Sequence, residues 1–231
     1  MLRVAVAGAH GKMGRVAITA LKATDGVEYA GGFARTASSA DQVVSDLDAL
    51  LVKKPDVLLD LTTRPGSVRI SMLALTHGVR PVIGSSGWTQ DERAALDGLA
   101  RERGLGAMLV PNFSLGAVLM MRFAEQAAKL FPSVSIVEMH HQDKKDAPSG
   151  TARSTADRIA QSSGNPLVPI HSVRMQGMLA HQEVLFGGSG ELLTIRHDSL
   201  SRDSFVPGMM AAVKEVMSVS GLVVGLDGVI G

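Results

Sequence analysis

The N-terminal half of the chain alternates short apolar runs with helical patterns, and this alternation constrains the fold more than any other feature. The run Leu2–Ala7 is rich in valine and predicts a buried strand, and a helical pattern covers Arg15–Ala23 after a glycine-bearing turn. Further strands are predicted at Val27–Ala34, Asp56–Leu61, Pro81–Ile83 and Gly106–Val110, and further helices at Ser39–Leu51, Ser67–Thr76 and Gln90–Arg101. Such alternation predicts an α/β fold, a Rossmann-type doubly wound parallel sheet, which binds ligands at the carboxyl ends of its strands.

The second half of the chain has a different pattern. A helix is predicted over Leu115–Phe131, a strand over Val134–Met139 and a helix after Ser149. After a turn at Gly164–Pro169, glycine-bearing turns separate strand patterns at His171–Met175, Glu183–Phe186 and Glu191–His197, with no helical pattern between them. These features predict a second α+β domain with an open mixed sheet. A last helix is predicted at Pro207–Val219 and a strand-like end at Leu222–Gly225.

Composition excludes several classes of function. The 231 residues carry a formal net charge of +1 with no basic run, so no nucleic-acid partner is expected. No apolar run approaches the length of a membrane span, and no membrane partner is expected. There is no cysteine, which is compatible with the cytoplasm, where we expect the protein to act. The seven histidines are scattered apart from one adjacent pair, so no metal site is predicted.

A glycine turn joins the first strand to the first helix, and it reads Gly8-Ala9-His10-Gly11-Lys12-Met13-Gly14. Strand, glycine turn and helix are the context of a dinucleotide-binding motif, in which the backbone approaches the pyrophosphate. His10 stands where the generic motif has its second glycine, and the same residues also suit an ordinary turn.

The second predicted strand ends in Ala34-Arg35. An acidic residue at this place would bind the ribose hydroxyls of NADH, whereas an arginine suits a 2′-phosphate. The alternative is an ordinary surface arginine after a strand.

The segment Glu138–Ala152, EMHHQDKKDAPSGTA, concentrates titratable residues where a strand leaves its sheet. Lys144 lies four residues after His140, close enough for a turn to bring both over one site. Ser149 is a predicted N-cap, which leaves the N–H groups of Gly150 and Thr151 as a cradle for a carboxylate or phosphate. A solvated polar loop is the alternative, but the combination of a histidine pair, a cation and a helix N-terminus favours a site.

This segment resembles the signature HHxxKxDAPSGTA of the 4-hydroxy-tetrahydrodipicolinate reductase (dihydrodipicolinate reductase) family, and every fixed position is present. The glycine turn fits the family form G-x-x-G-[KR]-M-G. The segment Gly84-Ser85-Ser86-Gly87-Trp88 resembles the family's Gly-Thr-Thr-Gly-aromatic loop, with serines replacing threonines. Arg174 and the segment 177–184 resemble its Arg-x-x-Gly…His stretch, which makes Arg174 a candidate neighbour of a substrate carboxylate, with a surface or interface arginine as the alternative.

The resemblance implies NAD(P)H-dependent reduction of a cyclic dicarboxylate, 4-hydroxy-tetrahydrodipicolinate, to tetrahydrodipicolinate with loss of water, in lysine biosynthesis through diaminopimelate. It implies a dinucleotide-binding domain at 1–111 and 207–231, and a substrate-binding and oligomerisation domain at 112–206. The family forms homotetramers. Arg35 favours NADPH as cofactor, with NADH still usable.

The resemblance also assigns roles to individual residues. His140 is the candidate general acid, and Lys144 is a second donor beside the ring nitrogen. The side chain of His141 and the amides of Gly150 and Thr151 are expected to hold a substrate carboxylate. The expected cofactor-binding residues lie in four segments: Gly8, Ala9, His10, Gly11, Lys12 and Met13; Arg35; Gly84, Ser85 and Ser86; Val110, Pro111, Asn112 and Phe113.

Two rival functions follow from the same sequence. A dinucleotide-binding sensor without turnover would keep the first domain and lose His140, Lys144 or the Ser-Gly-Thr turn, all of which are present. A different small-molecule dehydrogenase of similar architecture would lack the signature at 138–152.

Overall fold

The computed structural model describes residues 1–164 and 166–229, and in it the chain forms two compact units. The first comprises Met1–Phe113 and the chain from Phe205 onward, and the second comprises Ser114–Ser204. The switch from one unit to the other therefore falls two residues after the boundary expected at 111, and the return falls two residues before 207.

The first unit contains a seven-stranded sheet. Its strands are β1 (Leu2–Ala7), β2 (Val27–Phe33), β3 (Val43–Val44), β4 (Val57–Asp60), β5 (Arg80–Ile83), β6 (Gly106–Leu109) and β11 (Gly221–Val224). Its helices are α1 (Lys12–Ala23), α2 (Leu47–Leu51), α3 (Arg64–Thr76), α4 (Gln90–Glu102) and α7 (Val206–Glu215). The strand order is β11-β6-β5-β4-β1-β2-β3, and every pairing is parallel. The predicted parallel, doubly wound sheet is confirmed.

The core of this unit follows from the apolar strands. Ala5, Ala7 and Leu58 pack against Leu50 and Leu51 of α2 and against α3, and all five are inaccessible to solvent. A second cluster packs β5 and β6 against α3 and α4. Such continuous burial is expected of parallel strands that are covered on both faces.

Helix α7 packs within this unit, where its apolar face is buried. Met209, Val213 and Val216 are fully buried, and α7 contacts α1. A Cβ atom on Gly208 would lie 1.9 Å from the carbonyl oxygen of Phe113, so the helix approaches that backbone closely.

The predicted helix over Ser39–Leu51 is wrong in its first half. A short 3-10 helix occupies Ala40–Gln42, and Val43–Val44 forms β3 beside β2. Asp41 and Gln42 have positive φ angles of 58° and 49°, which a continuous right-handed helix does not allow. The helix α2 then starts afresh after Asp46, whose side chain accepts a hydrogen bond from the Asp48 amide.

In its described residues, the second unit contains a four-stranded mixed sheet and two α-helices. The elements are α5 (Leu115–Ala127), β7 (Ser133–His140), α6 (Gly150–Ser163), β8 (Ile170–Arg174), β9 (Ala180–Gly188) and β10 (Glu191–Ser199), followed by a 3-10 helix at Arg202–Phe205. The strand order is β10-β9-β7-β8; only β7 and β8 run parallel. The predicted second domain with a mixed sheet is confirmed. The predicted turn at Gly164–Pro169 includes Asn165, which lies outside the described residues.

Both helices of the second unit pack on the same face of its sheet. Gln182 donates to Thr155 of α6, and His197, its partner in the β9–β10 register, lies against Gly116 of α5. Ile136, Glu138, Val184 and Phe186 share this face and are fully buried. Because side chains alternate along strands, His140 also projects toward the helices.

Candidate active site

The glycine turn between β1 and α1 is closely packed. The amides of Gly8 and Ala9 both donate to the carbonyl of Phe33, at 3.0 and 3.1 Å. Gly8 has a φ angle of +82°, and a Cβ atom on Gly14 would lie 2.2 Å from the Gly8 carbonyl oxygen. Glycine is therefore required for the turn to fold against the start of α1. Gly11, the N-cap of α1, has no side chain that would cover the amides of the first helical turn.

The other segments expected to bind the cofactor follow the carboxyl ends of β2, β5 and β6. Arg35 lies after β2, Gly84–Ser86 after β5, and the segment 110–113 after β6. The last two segments touch, because a Cβ atom on Gly84 would lie 2.9 Å from a ring carbon of Phe113. The structure thus places the expected cofactor residues at one edge of the parallel sheet, where such folds bind ligands.

Arg35 and Lys12 are exposed cations at the β2 side of this edge. Within the described parts of the chain, neither side chain forms a hydrogen bond or an ion pair. The His10 ring contributes a further link, since its Nε2 lies 2.9 Å from the Thr36 carbonyl oxygen and donates to it. His10 therefore ties the glycine turn to the segment that carries Arg35.

Asp60, at the end of β4, is a fully buried carboxylate that the sequence reading missed. It accepts hydrogen bonds from the amide and hydroxyl of Thr62, at 2.9 and 2.6 Å, and from the hydroxyl of Ser67, at 2.5 Å. Burial raises the pKa of Asp60 despite these hydrogen bonds. The carboxylate fixes the turn into α3. In the sequence, this role could have been indicated only by the position of an aspartate at the end of a predicted strand.

The segment Gly84–Trp88 is also held from within its unit. The Trp88 indole donates to the Ser85 hydroxyl at 2.9 Å, and Ser85 is buried. Arg64, at the start of α3, donates to both carboxylate oxygens of Glu92, at 3.1 and 2.8 Å. Glu92 closes a capping box with Thr89, so the segment is anchored just before α4.

In the second unit, Glu138 on β7 is the centre of the polar network around His140. Its side chain has no solvent exposure. Arg174 on β8 donates to both carboxylate oxygens at 2.9 and 2.7 Å, and the Ser149 amide donates at 3.2 Å. His140 Nδ1 lies 2.5 Å from Oε2 of the same carboxylate. Donors from the guanidinium, the imidazole and the Ser149 amide thus converge on one buried anion, as a buried charge requires.

Arg174 is neither a free neighbour of a substrate carboxylate nor a simple surface arginine. Besides its two bonds to Glu138, it donates to the carbonyl oxygens of Val173 and Asp146, at 2.8 and 2.7 Å. Four of its five N–H groups are therefore used inside the protein. The expectation for Arg174 is corrected, because Glu138 across the strand pair occupies the guanidinium.

The network sets the charge states of its members. Burial raises the pKa of Glu138, but hydrogen bonds from Arg174, Ser172 and His140 outweigh it and lower the pKa to about 2. Burial lowers the pKa of His140; Glu138 opposes this shift, and the charges of Lys144 and Arg174 add to it. Glu138 is therefore an anion at neutral pH, and it selects the His140 tautomer with hydrogen on Nδ1.

Lys144 is held by a carboxylate that the sequence reading also missed. Its Nζ lies 2.7 and 2.9 Å from the two carboxylate oxygens of Asp146. The Lys144 amide donates to the His141 carbonyl at 3.1 Å, which closes the turn after β7. Burial raises the pKa of Asp146, but its hydrogen bond to Lys144 and the charge of that side chain lower it overall.

The N-terminus of α6 has the predicted cap. The Ser149 hydroxyl accepts from the Ala152 amide at 3.1 Å, so the N-cap prediction is confirmed. Gly150 is exposed, and a Cβ atom placed on it would meet no heavy atom of the described residues within 4 Å. The Thr151 carbonyl accepts from the Thr155 hydroxyl at 2.8 Å, and Gln182 donates to that hydroxyl, which supports the first turn of the helix.

Hydrogen bonds therefore join His140, Lys144 and the start of α6 through Glu138, Arg174 and Asp146. His141 is half-buried, and its ring makes no hydrogen bond within the described residues. The Ala147–Pro148 peptide bond between Lys144 and the helix is cis.

Comparison with known families matches almost the whole chain. The family model described as "Dihydrodipicolinate reductase, N-terminus" matches residues 2–113, and the one described as "Dihydrodipicolinate reductase, C-terminus" matches residues 116–230. The chain belongs to the dihydrodipicolinate reductase family. The family's HHxxKxDAPSGTA signature is thus the segment that Glu138 and Arg174 hold in place.

Relatives of this reductase chain support the assignment over its full length. It is 43% identical to the 4-hydroxy-tetrahydrodipicolinate reductase of Halalkalibacterium halodurans over 263 aligned positions, covering 100% of both chains. The Geobacillus kaustophilus enzyme of the same name is 43% identical, with 98% of each chain covered. A solved structure of dipicolinate-bound dihydrodipicolinate reductase from Paenisporosarcina sp. TG-14 is 40% identical, with a TM-score of 0.86 and 99% of both chains covered.

Within the described residues, no helix is both long enough and apolar enough to span a bilayer.

Proposed function

We propose that this reductase chain converts 4-hydroxy-tetrahydrodipicolinate into tetrahydrodipicolinate, in the diaminopimelate route to lysine. The reaction consumes one hydride and one proton and releases one water molecule. A reduced nicotinamide supplies the hydride when it is bound. The observation that carries the proposal is the hydrogen-bonded arrangement of His140, Lys144 and the N-terminus of α6 in a chain of this family.

His140 acts as the general acid in this proposal. Its Nδ1–H is engaged with Glu138, so Nε2 is the nitrogen that exchanges a proton with the substrate. Lys144 brings a positive charge and N–H donors to the same end of β7, and Asp146 holds its ammonium group in place. Together they relieve the negative charge that develops as hydride adds to the substrate's conjugated C=N system.

A substrate carboxylate binds at the N-terminus of α6. Ser149 caps the Ala152 amide, and the backbone amides of Gly150 and Thr151 lie at the same helix N-terminus as the donors of the proposed cradle. The helix dipole favours an anion there. The dipicolinate bound to the Paenisporosarcina relative is a cyclic dicarboxylate, which is the ligand class that this cradle suits. His141 completes the cradle.

The first unit has the properties that a dinucleotide requires. The close approach at Gly8 and Gly14 leaves backbone N–H groups at the start of α1 for a pyrophosphate. The segments 84–86 and 110–113, at the ends of β5 and β6, hold the nicotinamide end.

NADPH is the preferred cofactor in this proposal, and NADH is also used. Ala34 replaces the carboxylate that would accept ribose hydroxyls and would repel a 2′-phosphate. Arg35 and Lys12 are exposed cations beside the glycine turn, and the Arg35 fork suits a phosphate.

The chain acts as a homotetramer in this proposal, and the second unit supplies the interface. The sheet face opposite α5 and α6 carries Val137, Met139, Leu185, Val173 and Leu192, of which Val173 is 38% and Leu192 is 68% exposed. The same face carries the ion pairs of Arg196 with Glu183 and Asp198, and a mixture of exposed apolar side chains and charged groups is typical of an interface between subunits. Light scattering should give about 97 kDa, the mass of four 24.2-kDa chains.

The proposed function is tested by incubating the purified protein with freshly prepared substrate and either NADPH or NADH while the nicotinamide absorbance is followed. Substrate-dependent loss of absorbance is the expected result. Cofactor binding without consumption would support the alternative of a dinucleotide-binding sensor.

A further inference from the structure

Glu138, which is fully buried, and Arg174, which is partly buried, form an ion pair that contacts His140, the Asp146 carbonyl and the Ser149 amide. We propose that this pair is the positioning device of the reaction: it selects the proton-donating nitrogen of His140 and fixes both ends of the segment 141–149. Neither residue contacts the reacting atoms in this assignment. The inference rests on the proposed function, because positioning has meaning only for a substrate handled at this site.

The first role concerns His140. A neutral imidazole carries one N–H, and the nitrogen that carries it depends on the hydrogen bonds around the ring. Glu138 Oε2 lies 2.5 Å from Nδ1, so the hydrogen stays on Nδ1 and Nε2 accepts or releases the catalytic proton. Without the carboxylate the other tautomer becomes accessible, and the ring loses the contact that orients it.

The second role concerns the segment that carries Lys144. Arg174 Nη2 donates to the Asp146 carbonyl at 2.7 Å, and the Asp146 carboxylate holds Lys144. At the other end of the segment, the Ser149 amide donates to Glu138 Oε1 at 3.2 Å. Since Ser149 caps α6, the ion pair also sets where the Gly150 amide lies.

The charges around His140 allow the positioning role to be measured. The groups that act on its ring are Glu138 on its own strand, Arg174 on β8 and Lys144 on the following turn. From β9, the residue in register is Ala180, which carries no charge. The carboxylate of Glu138 raises the pKa of His140, whereas Lys144 and Arg174 lower it. Removing the carboxylate therefore lowers this pKa further.

The competing explanation is purely structural: the pair links β7 to β8 and has no part in the reaction. Removing one member of a buried pair leaves the other uncompensated and destabilises a fold. Loss of activity in one variant would thus be ambiguous, and the test needs variants that separate folding from positioning.

The test variant is Glu138→Gln, and Glu125→Gln is its matched control. Arg158 of α6 donates to Glu125 of α5, so the control makes the same chemical change at another carboxylate–arginine pair of the same unit. We expect Glu138→Gln to lower kcat by about 10- to 100-fold, by analogy with the loss of hydrogen-bond partners that orient metal-ligating histidines. Because a general acid must be protonated, activity falls as pH rises through its pKa, which gives the alkaline limb of the pH–activity profile. In Glu138→Gln this alkaline limb should move to lower pH, since the pKa of His140 falls. Glu125→Gln should leave the limb in place.

A second variant, Glu138→Leu with Arg174→Met, removes both charges and replaces the ion pair with two apolar side chains. Such replacements of buried pairs are often neutral or stabilising. If the pair positions the site, this double variant stays folded and remains about 10- to 100-fold slow. Activity within about threefold of wild type in a folded double variant would overturn the inference, as would an unshifted alkaline limb in Glu138→Gln.

NMR titration of His140 distinguishes failure of the positioning role from failure of the proposed function. If wild type shows no substrate-dependent oxidation of NADPH, the proposed function fails. The titration then still reports whether the His140 pKa falls in Glu138→Gln, and an unchanged pKa refutes the positioning role by itself.

Discussion

Gly150 allows substrate binding to be tested separately from folding, because no contact within residues 1–164 and 166–229 requires a glycine there. A Cβ atom on Gly150 would meet no heavy atom within 4 Å, and the residue has no left-handed φ angle. Gly150→Ala should therefore keep the fold and raise the free energy of unfolding by about 0.4–1 kcal/mol, through the reduced entropy of the unfolded chain.

Substrate binding, in contrast to folding, should be weakened in Gly150→Ala. To accept the Gly150 N–H, an oxygen must come within about 2.9 Å of the nitrogen, where an added methyl group crowds it. Loss of one charge-assisted hydrogen bond costs about 1.5–3 kcal/mol, which corresponds to a rise in substrate KM of about 10- to 100-fold. The KM for NADPH should not change, since the proposed cofactor residues lie in the first unit.

The assay is steady-state kinetics with substrate and NADPH varied separately, together with urea unfolding. Gly98→Ala in α4 is the matched control, because a Cβ atom there also meets nothing within 4 Å. The control should gain stability without any change in KM. A substrate KM within about twofold of wild type in Gly150→Ala would refute the carboxylate cradle at α6.

Three further outcomes are expected. His140→Gln should lower kcat by about 10²- to 10⁴-fold with little change in cofactor affinity, and near-normal turnover would remove His140 as the general acid. Arg35→Ala should lower kcat/KM for NADPH by about 10- to 100-fold while sparing NADH, and equal losses would show that Arg35 does not read the 2′-phosphate. Glu138 has a folded pKa of about 2 against an ordinary 4.5, so its stabilisation is complete above about pH 4.5 and is lost as pH falls toward 2. Wild type should lose about 3 kcal/mol more unfolding free energy over that window than the double variant Glu138→Leu, Arg174→Met, and equal losses would contradict this.

Local chemistry made much of the fold predictable. The Val-rich run Leu2–Ala7 is a strand, and Ser149 caps α6 because its side chain reaches the Ala152 amide. Both features depend on residues within a few positions of each other. The failure at Ser39–Leu51 has a different origin: β3 exists because Val43 and Val44 pair with Gly32 and Phe33 of β2. A partner strand about ten residues away competes with helical propensity, and the sequence pattern does not show that competition.

The same distinction holds for the candidate site. The motif predicted a site at His140 and Lys144 but did not indicate what holds them. Glu138 meets Arg174 across 36 positions, and only the parallel pairing of β7 with β8 brings them together. The Lys144–Asp146 contact spans two positions and was within reach of the sequence, since opposite charges so close in a turn often pair. From its charge alone, Arg174 was expected beside a substrate carboxylate. The pairing of β7 with β8 instead brings its guanidinium onto the Glu138 carboxylate.

The most direct test of the central claim is to follow a label from cofactor to product. Wild-type protein is incubated with freshly prepared 4-hydroxy-tetrahydrodipicolinate and NADPH carrying deuterium at the transferable position, and the product is analysed by mass spectrometry. The expected result is tetrahydrodipicolinate that carries the deuterium, formed in step with loss of nicotinamide absorbance and abolished without protein. Unlabelled product, or cofactor that stays reduced while the substrate is present, would contradict the assignment of this chain as the reductase.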